Sequence, residues 1–147
     1  MIIDATCNMF DVPAKVRINT VNCVGVMGKG VAMLFRTRFP DMYMAYKDRC
    51  LHYELAPGHI YPWLCPDGLT IINFTTKDHW RNPSQYEWIQ SGLEELANYL
   101  RSRPPCTVTI PALGCGNGGL DWTRVQREIN AYLCELPHQI YLFSPHI

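Results

Sequence analysis

Two glycine-bearing segments and one lysine carry the residue types from which a site could be built. The segments Gly25-Val26-Met27-Gly28-Lys29-Gly30 and Leu113-Gly114-Cys115-Gly116-Asn117-Gly118-Gly119 each follow an apolar run and open a helix-forming one. Glycine in such a turn lets the backbone take positive φ and approach a ligand closely. The free N–H groups and positive dipole end of the next helix then favour a phosphate. Two such cradles can grip one diphosphate from opposite sides. The familiar phosphate motifs fit poorly. Gly114, Gly116 and Gly119 satisfy G-x-G-x-x-G, but only one strand follows, about 139–143, and it ends in Ser144-Pro145 rather than an acid. Lys29 is followed by Gly30, so the magnesium-binding hydroxyl of a Walker A loop is missing. Lys77 lies in the polar, aromatic stretch Thr75-Thr76-Lys77-Asp78-His79-Trp80-Arg81-Asn82-Pro83. A lysine there can act as an amine nucleophile if desolvation or a cation such as Arg81 lowers its pKa; otherwise it can hold an oxyanion or protonate a leaving group. Cys115 is a weaker nucleophile candidate, because no histidine is tied to it in sequence. Tight turns and a solvated charge are the plainer reading of the same residues.

The elements that must position these groups follow from periodicity and turn chemistry. Residues 1–6 read as a short strand, with polar Asn8 just past its end. Val16, Ile18 and Thr20 alternate with Arg17 and Asn19 before Val21-Asn22-Cys23-Val24, a strand sinking into the core. A helix over 31–39 carries Val31, Leu34 and Phe35 on its apolar face and stops at Pro40. Asp41 is expected to cap a second helix through about residue 53. Residues 59–64 and 69–74 flank Cys65-Pro66-Asp67-Gly68 as antiparallel neighbours. Ser84 and Glu87 match a capping box ahead of Ile89, Leu93, Leu96 and Leu100, which repeat at helical spacing until Pro104-Pro105. A strand from Thr107, a helix over 122–134 capped by Asp121, and the strand at 139–143 complete the chain. Strands alternating with helices predict one α/β domain with helices on both faces of a mixed sheet.

Composition narrows the function classes. At 147 residues the chain has the size of one domain. Thirteen Lys plus Arg balance thirteen Asp plus Glu, so no global field draws the protein to nucleic acid or anionic membrane, and any such contact is local. No signal-peptide pattern or membrane-length apolar run is present, which reads as a cytosolic protein. Seven cysteines without a C-x-x-C pair favour reduced thiols over a disulfide framework or zinc site. No carboxylate cluster suits Mg²⁺, so neither a metal nor a cofactor is expected.

The stretches Asn19 to Ala32, Asn73 to Arg81 and Pro111 to Trp122 resemble, in that order along the chain, the signature loops of macrodomains, most closely the DarG-type branch of DNA ADP-ribosyl glycohydrolases. The resemblance spans nearly the whole chain. It implies a three-layer α/β/α domain over residues 1–147, with about six strands and an ADP-ribose cleft at the strand ends. By position, it implies that Asn8 meets adenine, although Cys7 stands where a glycine is usual, and that Asn22 meets the distal ribose. Gly28, Lys29, Gly30 and Val31 form one phosphate loop, and Gly114, Cys115, Gly116, Asn117 and Gly118 the other. Phe143, or alternatively Tyr141, stacks on adenine. Lys77 is the implied catalytic residue, while His79, Trp80 and Arg81 contact the modified base or flanking phosphate. The human terminal ADP-ribose protein glycohydrolase pairs its lysine with an aspartate where this chain has Gly118, and Asp121 comes later as a helix cap. The activity implied is removal of ADP-ribose from thymidine in DNA; a non-catalytic ADP-ribose reader and an ADP-ribose 1″-phosphate phosphatase are the alternatives. The branch also carries a toxin-binding C-terminal domain. The expectation is a stand-alone, monomeric eraser with a cognate ADP-ribosyltransferase toxin as candidate partner.

Overall fold

The computed structural model describes residues 1–145. Six strands run as β1 (Ile2–Ala5), β2 (Val16–Val21), β3 (Ile60–Leu64), β4 (Thr70–Thr75), β5 (Thr107–Ile110) and β6 (Gln139–Phe143). Four helices, α1 (Gly30–Arg38), α2 (Pro40–Leu51), α3 (Tyr86–Arg101) and α4 (Trp122–Leu133), complete the layers, with short 3-10 turns at Met9–Asp11 and Gly116–Gly118. The strands form one sheet in the order β1-β6-β5-β2-β4-β3. All neighbours are parallel except β3, which pairs antiparallel with β4. The expected mixed six-stranded sheet is therefore present, and the carboxyl ends of five strands point to one edge.

Two apolar clusters cover the two faces. One joins Val16, Ile18, Ile72, Val108 and Ile140 of the sheet to Ile89, Leu93, Leu96 and Leu100 of α3 and to Val125 and Ile129 of α4. The other joins Val21, Ile71 and Phe143 to Phe35 of α1 and Met42, Tyr46 and Cys50 of α2. Every residue of β4 is buried, as a strand covered on both sides must be. The β3–β4 turn forms as its residues predict: Gly68 takes φ 94° and donates its N–H to the Cys65 carbonyl at 3.0 Å. Asp121 caps α4, accepting from the Arg124 N–H at 3.0 Å.

Four local expectations need correction. Leu34, read on the apolar face of α1, is 44% exposed, while Phe35 carries the buried contact. β2 ends at Val21 rather than running to Val24, because the Asn22 side chain captures the backbone of the following turn. Asp41 is not the cap of α2: Pro40 occupies the first turn, where its missing N–H costs nothing, and Phe39 holds the cap position. Ser84 forms no capping box. Gln85 is the cap residue of α3, without a side-chain hydrogen bond, and the Ser84 hydroxyl is turned into the protein.

Candidate functional site

β2 and β5 share their last rung at Arg17–Thr109, yet β2 continues to Val21, so the two strands part toward their carboxyl ends. A crevice at a point where neighbouring parallel strands lead to helices on opposite faces is where open α/β sheets bind ligands. Both glycine loops arise there, and β4, on the other side of β2, delivers Lys77.

The first loop is fixed from behind. Asn22, 7% exposed, donates to the Val26 carbonyl at 2.7 Å and accepts from the N–H groups of Val24 (3.1 Å) and Val26 (3.4 Å). The Tyr46 hydroxyl donates to the Asn22 carbonyl or to its side-chain oxygen, at 2.8 and 2.9 Å, and that of Tyr43 reaches the Gly25 carbonyl at 3.2 Å. Asn22 thus shapes the loop, and its amide is committed to it. Met27 is fully buried under the turn, leaving Gly28, Lys29 and Gly30 exposed on the outside, with half-buried Val31 starting the helix behind them. Gly30 takes φ 56°, the conformation that requires glycine at this turn into α1.

The second loop turns at Gly114, φ 70°, where a Cβ would strike Leu120 at 2.7 Å. Gly116, φ 67°, and Asn117 face solvent, and a side chain at Gly116 would meet open space. Gly118 is buried, and a Cβ there would lie 2.7 Å from the Ser84 Oγ. The loops meet, since a Cβ on Gly30 would come 3.9 Å from the Asn117 Nδ2. Cys115 is half-buried, and burial followed by the charge of Asp121 pushes its thiol up to about 11, so it stays protonated at neutral pH and is a poor nucleophile.

Lys77 bridges two of the loops at the cleft. Its Nζ donates to the Asn117 carbonyl at 2.9 Å and to the Trp80 carbonyl at 3.2 Å. Partial burial, and then the nearby charge of Lys29, hold its ammonium below the ordinary 10.5. The cation acting on it is thus Lys29 of the first loop, not Arg81. The loop after Lys77 is pre-folded: the Asp78 carboxylate accepts from the His79 N–H at 2.7 Å, and the His79 Nδ1 accepts from the Arg81 N–H at 3.1 Å. His79 and Trp80 pack with ring centroids 5.3 Å apart, and the Arg81 guanidinium lies 4.6 Å from the Trp80 ring centre. Trp80 remains 45% exposed, which leaves an aromatic and cationic platform beside the lysine.

Asn8 and Phe143 fall at the same sheet edge, after β1 and at the end of β6, and each is partly engaged by the fold. The Asn8 oxygen accepts from the Phe10 N–H at 2.9 Å, capping the first 3-10 turn. Phe143 is 6% exposed and belongs to the core cluster with Met9 and Phe35, whereas Tyr141 is only partly buried. Sequence reading missed Ser84 as a neighbour of the site, and missed the tyrosine pair of α2 as its support. Tyr43 and Tyr46 stand three residues apart on one helix, a spacing that gives no sign of what they touch. Among the described residues no three His, Cys, Asp or Glu side chains gather in a way that could hold a metal ion. No helix of the described residues is long and apolar enough to cross a membrane.

This sheet, with paired glycine loops at its parting strands, is a macrodomain architecture, and the chain belongs to the Macro domain family, whose model matches residues 18–129. The chain is 42% identical over 125 residues to the DNA ADP-ribosyl glycohydrolase of Mycobacterium tuberculosis, covering 82% of this chain and 35% of that protein. To the protein of the same name from Thermus aquaticus it is 38% identical over 144 residues, covering 94% and 39%. It therefore spans little more than a third of the length of these curated relatives. Among solved structures, the macrodomain of Mycobacterium tuberculosis DarG superposes with a TM-score of 0.92 at 38% identity, covering 100% of this chain and 99% of the other. Thermosipho africanus DarTG, solved in complex with ADP-ribose, superposes with a TM-score of 0.84 at 34% identity, over 94% of this chain and 40% of that one.

Proposed function

We propose that this protein is a hydrolase that removes ADP-ribose from modified DNA, with thymidine as the linked base. The observation that carries the reading is Lys77, held at the end of β4 against the second glycine loop and under the charge of Lys29 from the first. A protein that only bound ADP-ribose would have no need of a lysine whose ammonium is disfavoured at the meeting point of two anion cradles. The loops 25–30 and 113–119 hold the diphosphate through backbone N–H groups, with Lys29 as a charge partner. Lys77 then faces the glycosidic carbon C1″. As a free amine it attacks C1″ while the bond to the base breaks and its electron pair leaves with the base, which takes a proton from water, and a further water then displaces the amine to release ADP-ribose; as an ammonium it gives a proton to the leaving base while water attacks C1″ and returns a proton to the amine. His79, Trp80 and Arg81 receive the base or a flanking phosphate by stacking and charge.

The names of relatives support this substrate: at 38–42% identity they are called DNA ADP-ribosyl glycohydrolases. A further relative from Thermosipho africanus, 38% identical over 143 residues, is named a fusion of a DNA ADP-ribosyl transferase with a DNA ADP-ribosyl glycohydrolase. We accordingly read a cognate ADP-ribosyltransferase toxin as the partner, and the protein as a cytoplasmic monomer.

The test is release of ADP-ribose from a thymidine-ADP-ribosylated oligonucleotide, run beside an ADP-ribosylated protein and ADP-ribose 1″-phosphate. Release from DNA at a rate well above the other two is expected. Binding of ADP-ribose with no release from any substrate would leave a reader, and phosphate release alone would leave the phosphatase.

A further inference from the structure

Ser84 stands at a position where its chemistry is unused by the fold. It is 5% exposed, and its hydroxyl has no hydrogen-bond partner among the described residues. It does not cap α3, which starts behind Gln85. Its backbone N–H donates to the Gly118 carbonyl at 2.9 Å, fastening it to the second glycine loop. Because residue 118 has no side chain, the Oγ occupies the space a Cβ would take, 2.7 Å from that point, and the Lys77 ε-carbon borders the same point at 3.9 Å. A buried hydroxyl without a partner costs stability, and such groups persist where a reaction uses them.

In the structure the Lys77 Nζ is tied to the Asn117 and Trp80 carbonyls. Two carbonyls leave the third N–H of an ammonium without a partner, and any turn toward a substrate in the cleft that releases one of them frees a second, for which an acceptor is needed. We propose that Ser84 is a positioning residue for this lysine, its hydroxyl accepting a hydrogen bond from Nζ when Lys77 turns from the loop carbonyls to the substrate. The inference rests on the glycohydrolase reading of the same cleft. Glycine at 118 is then required for the room it leaves the hydroxyl, while its carbonyl, which any residue would supply, fixes Ser84.

The experiment compares the unmutated protein with Ser84→Ala and Ser84→Thr in three measurements: Tm, ADP-ribose affinity by calorimetry, and single-turnover release from ADP-ribosylated thymidine DNA. Ser84→Ala is expected to keep or raise Tm, since it deletes an unpaired buried hydroxyl, and to hold ADP-ribose affinity within about twofold. Its turnover should fall about tenfold or more, the scale of loss for a misplaced reacting group. Ser84→Thr, which keeps the hydroxyl, should recover most of that loss. Full turnover in Ser84→Ala would overturn the inference while leaving the glycohydrolase reading in place. A loss of Tm and affinity in step with turnover would also overturn it, by making Ser84 a packing residue. Absence of release by the unmutated protein would sink both.

Discussion

Replacing Lys77 with alanine separates catalysis from binding, because the contacts of this residue are few and known. Its Nζ makes two hydrogen bonds, to the Asn117 and Trp80 carbonyls, both in a partly exposed setting. Losing them should cost about 1 kcal/mol in all, since net hydrogen-bond contributions are ~0.5–1.5 kcal/mol each and solvent replaces part of that at a partly exposed site. For a domain of this size that is a Tm decrease of roughly 2–4 °C. In the proposed function the diphosphate is held by the backbone of the two loops and by Lys29, so ADP-ribose affinity should change by less than about threefold. Turnover should fall ~10²–10⁴-fold, the range for loss of acid–base or nucleophilic participation, which at 1.36 kcal/mol per decade is about 3–5 kcal/mol of transition-state stabilisation. Calorimetry with ADP-ribose and single-turnover release from ADP-ribosylated oligonucleotide measure the two sides independently. Turnover at the unmutated level in Lys77→Ala would refute the lysine mechanism.

The pH profile then tells the two roles of Lys77 apart. Burial first, and the charge of Lys29 second, lower its ammonium from 10.5, so the amine forms at a lower pH than in a free lysine. If the amine attacks C1″, the rate climbs with pH to a plateau, with the midpoint of the rise below 10.5; if the ammonium protonates the base, the rate falls through the same midpoint. Lys29→Gln removes the repulsion and should move either limb to higher pH. Lys77→Arg cannot supply a lone pair, because guanidinium keeps its proton, so it fails as a nucleophile.

Other consequences follow from packing and titration. Gly28 has no positive φ, and a Cβ there would meet only Val26 at 3.5 Å, so Gly28→Ala should leave Tm nearly unchanged. It should nonetheless weaken ADP-ribose binding about tenfold or more in calorimetry, because charge-assisted bonds of ~1.5–3 kcal/mol are lost when the phosphates are pushed off the backbone. Gly92 of α3 lies directly against the Phe74 ring, leaving no room for a methyl group; Gly92→Ala should cost on the order of 1–3 kcal/mol by denaturant titration, and an unchanged midpoint would refute the packing. His138 is 1% exposed, and burial first, then the charge of Arg103, lowers it from 6.5 against a smaller opposing contribution from the Leu100 backbone. Its neutral form is favoured by folding, so stability is retained above 6.5 and declines as pH falls below it; Tm measured from pH 7.5 to 5 should show a steeper decline than in His138→Leu.

The elements were legible wherever the signal is local. The i, i+3/i+4 stripe of α3, the Pro-Asp-Gly turn before β4 and the Asp121 cap each depend on neighbours within a few residues, and each formed as read. The site was legible as residue types and loops, but not as contacts. Phe143 sits at the end of β6 as expected, yet Met9 and Phe35, from distant segments, close over it and make it core. Asn22 looked free at a strand end, but an amide there can satisfy the turn it begins, and it does so four times over with Val24, Val26 and Tyr46. Ser84 carried the spacing of a capping box; only its pairing with Gly118, far along the chain, takes it out of the helix start and into the site.

The strand order explains why these loops and not others can cooperate. β2 is bordered by β5 and β4, so the segments leaving the three strands must lie side by side at one edge. They are also bonded to one another: the Cys23 N–H donates to the Asp78 carbonyl at 3.3 Å, the Thr76 N–H to the Val21 carbonyl at 2.9 Å, and the Ser84 N–H to the Gly118 carbonyl at 2.9 Å. Each bond joins two different loops or a loop and its neighbouring strand. Glycine-rich segments would otherwise be costly to order around a ligand, since each residue gives up backbone freedom on binding. With the ordering done by folding, less of the binding energy of a diphosphate is spent on the loops, and in the proposed reaction more is left to hold C1″ against Lys77.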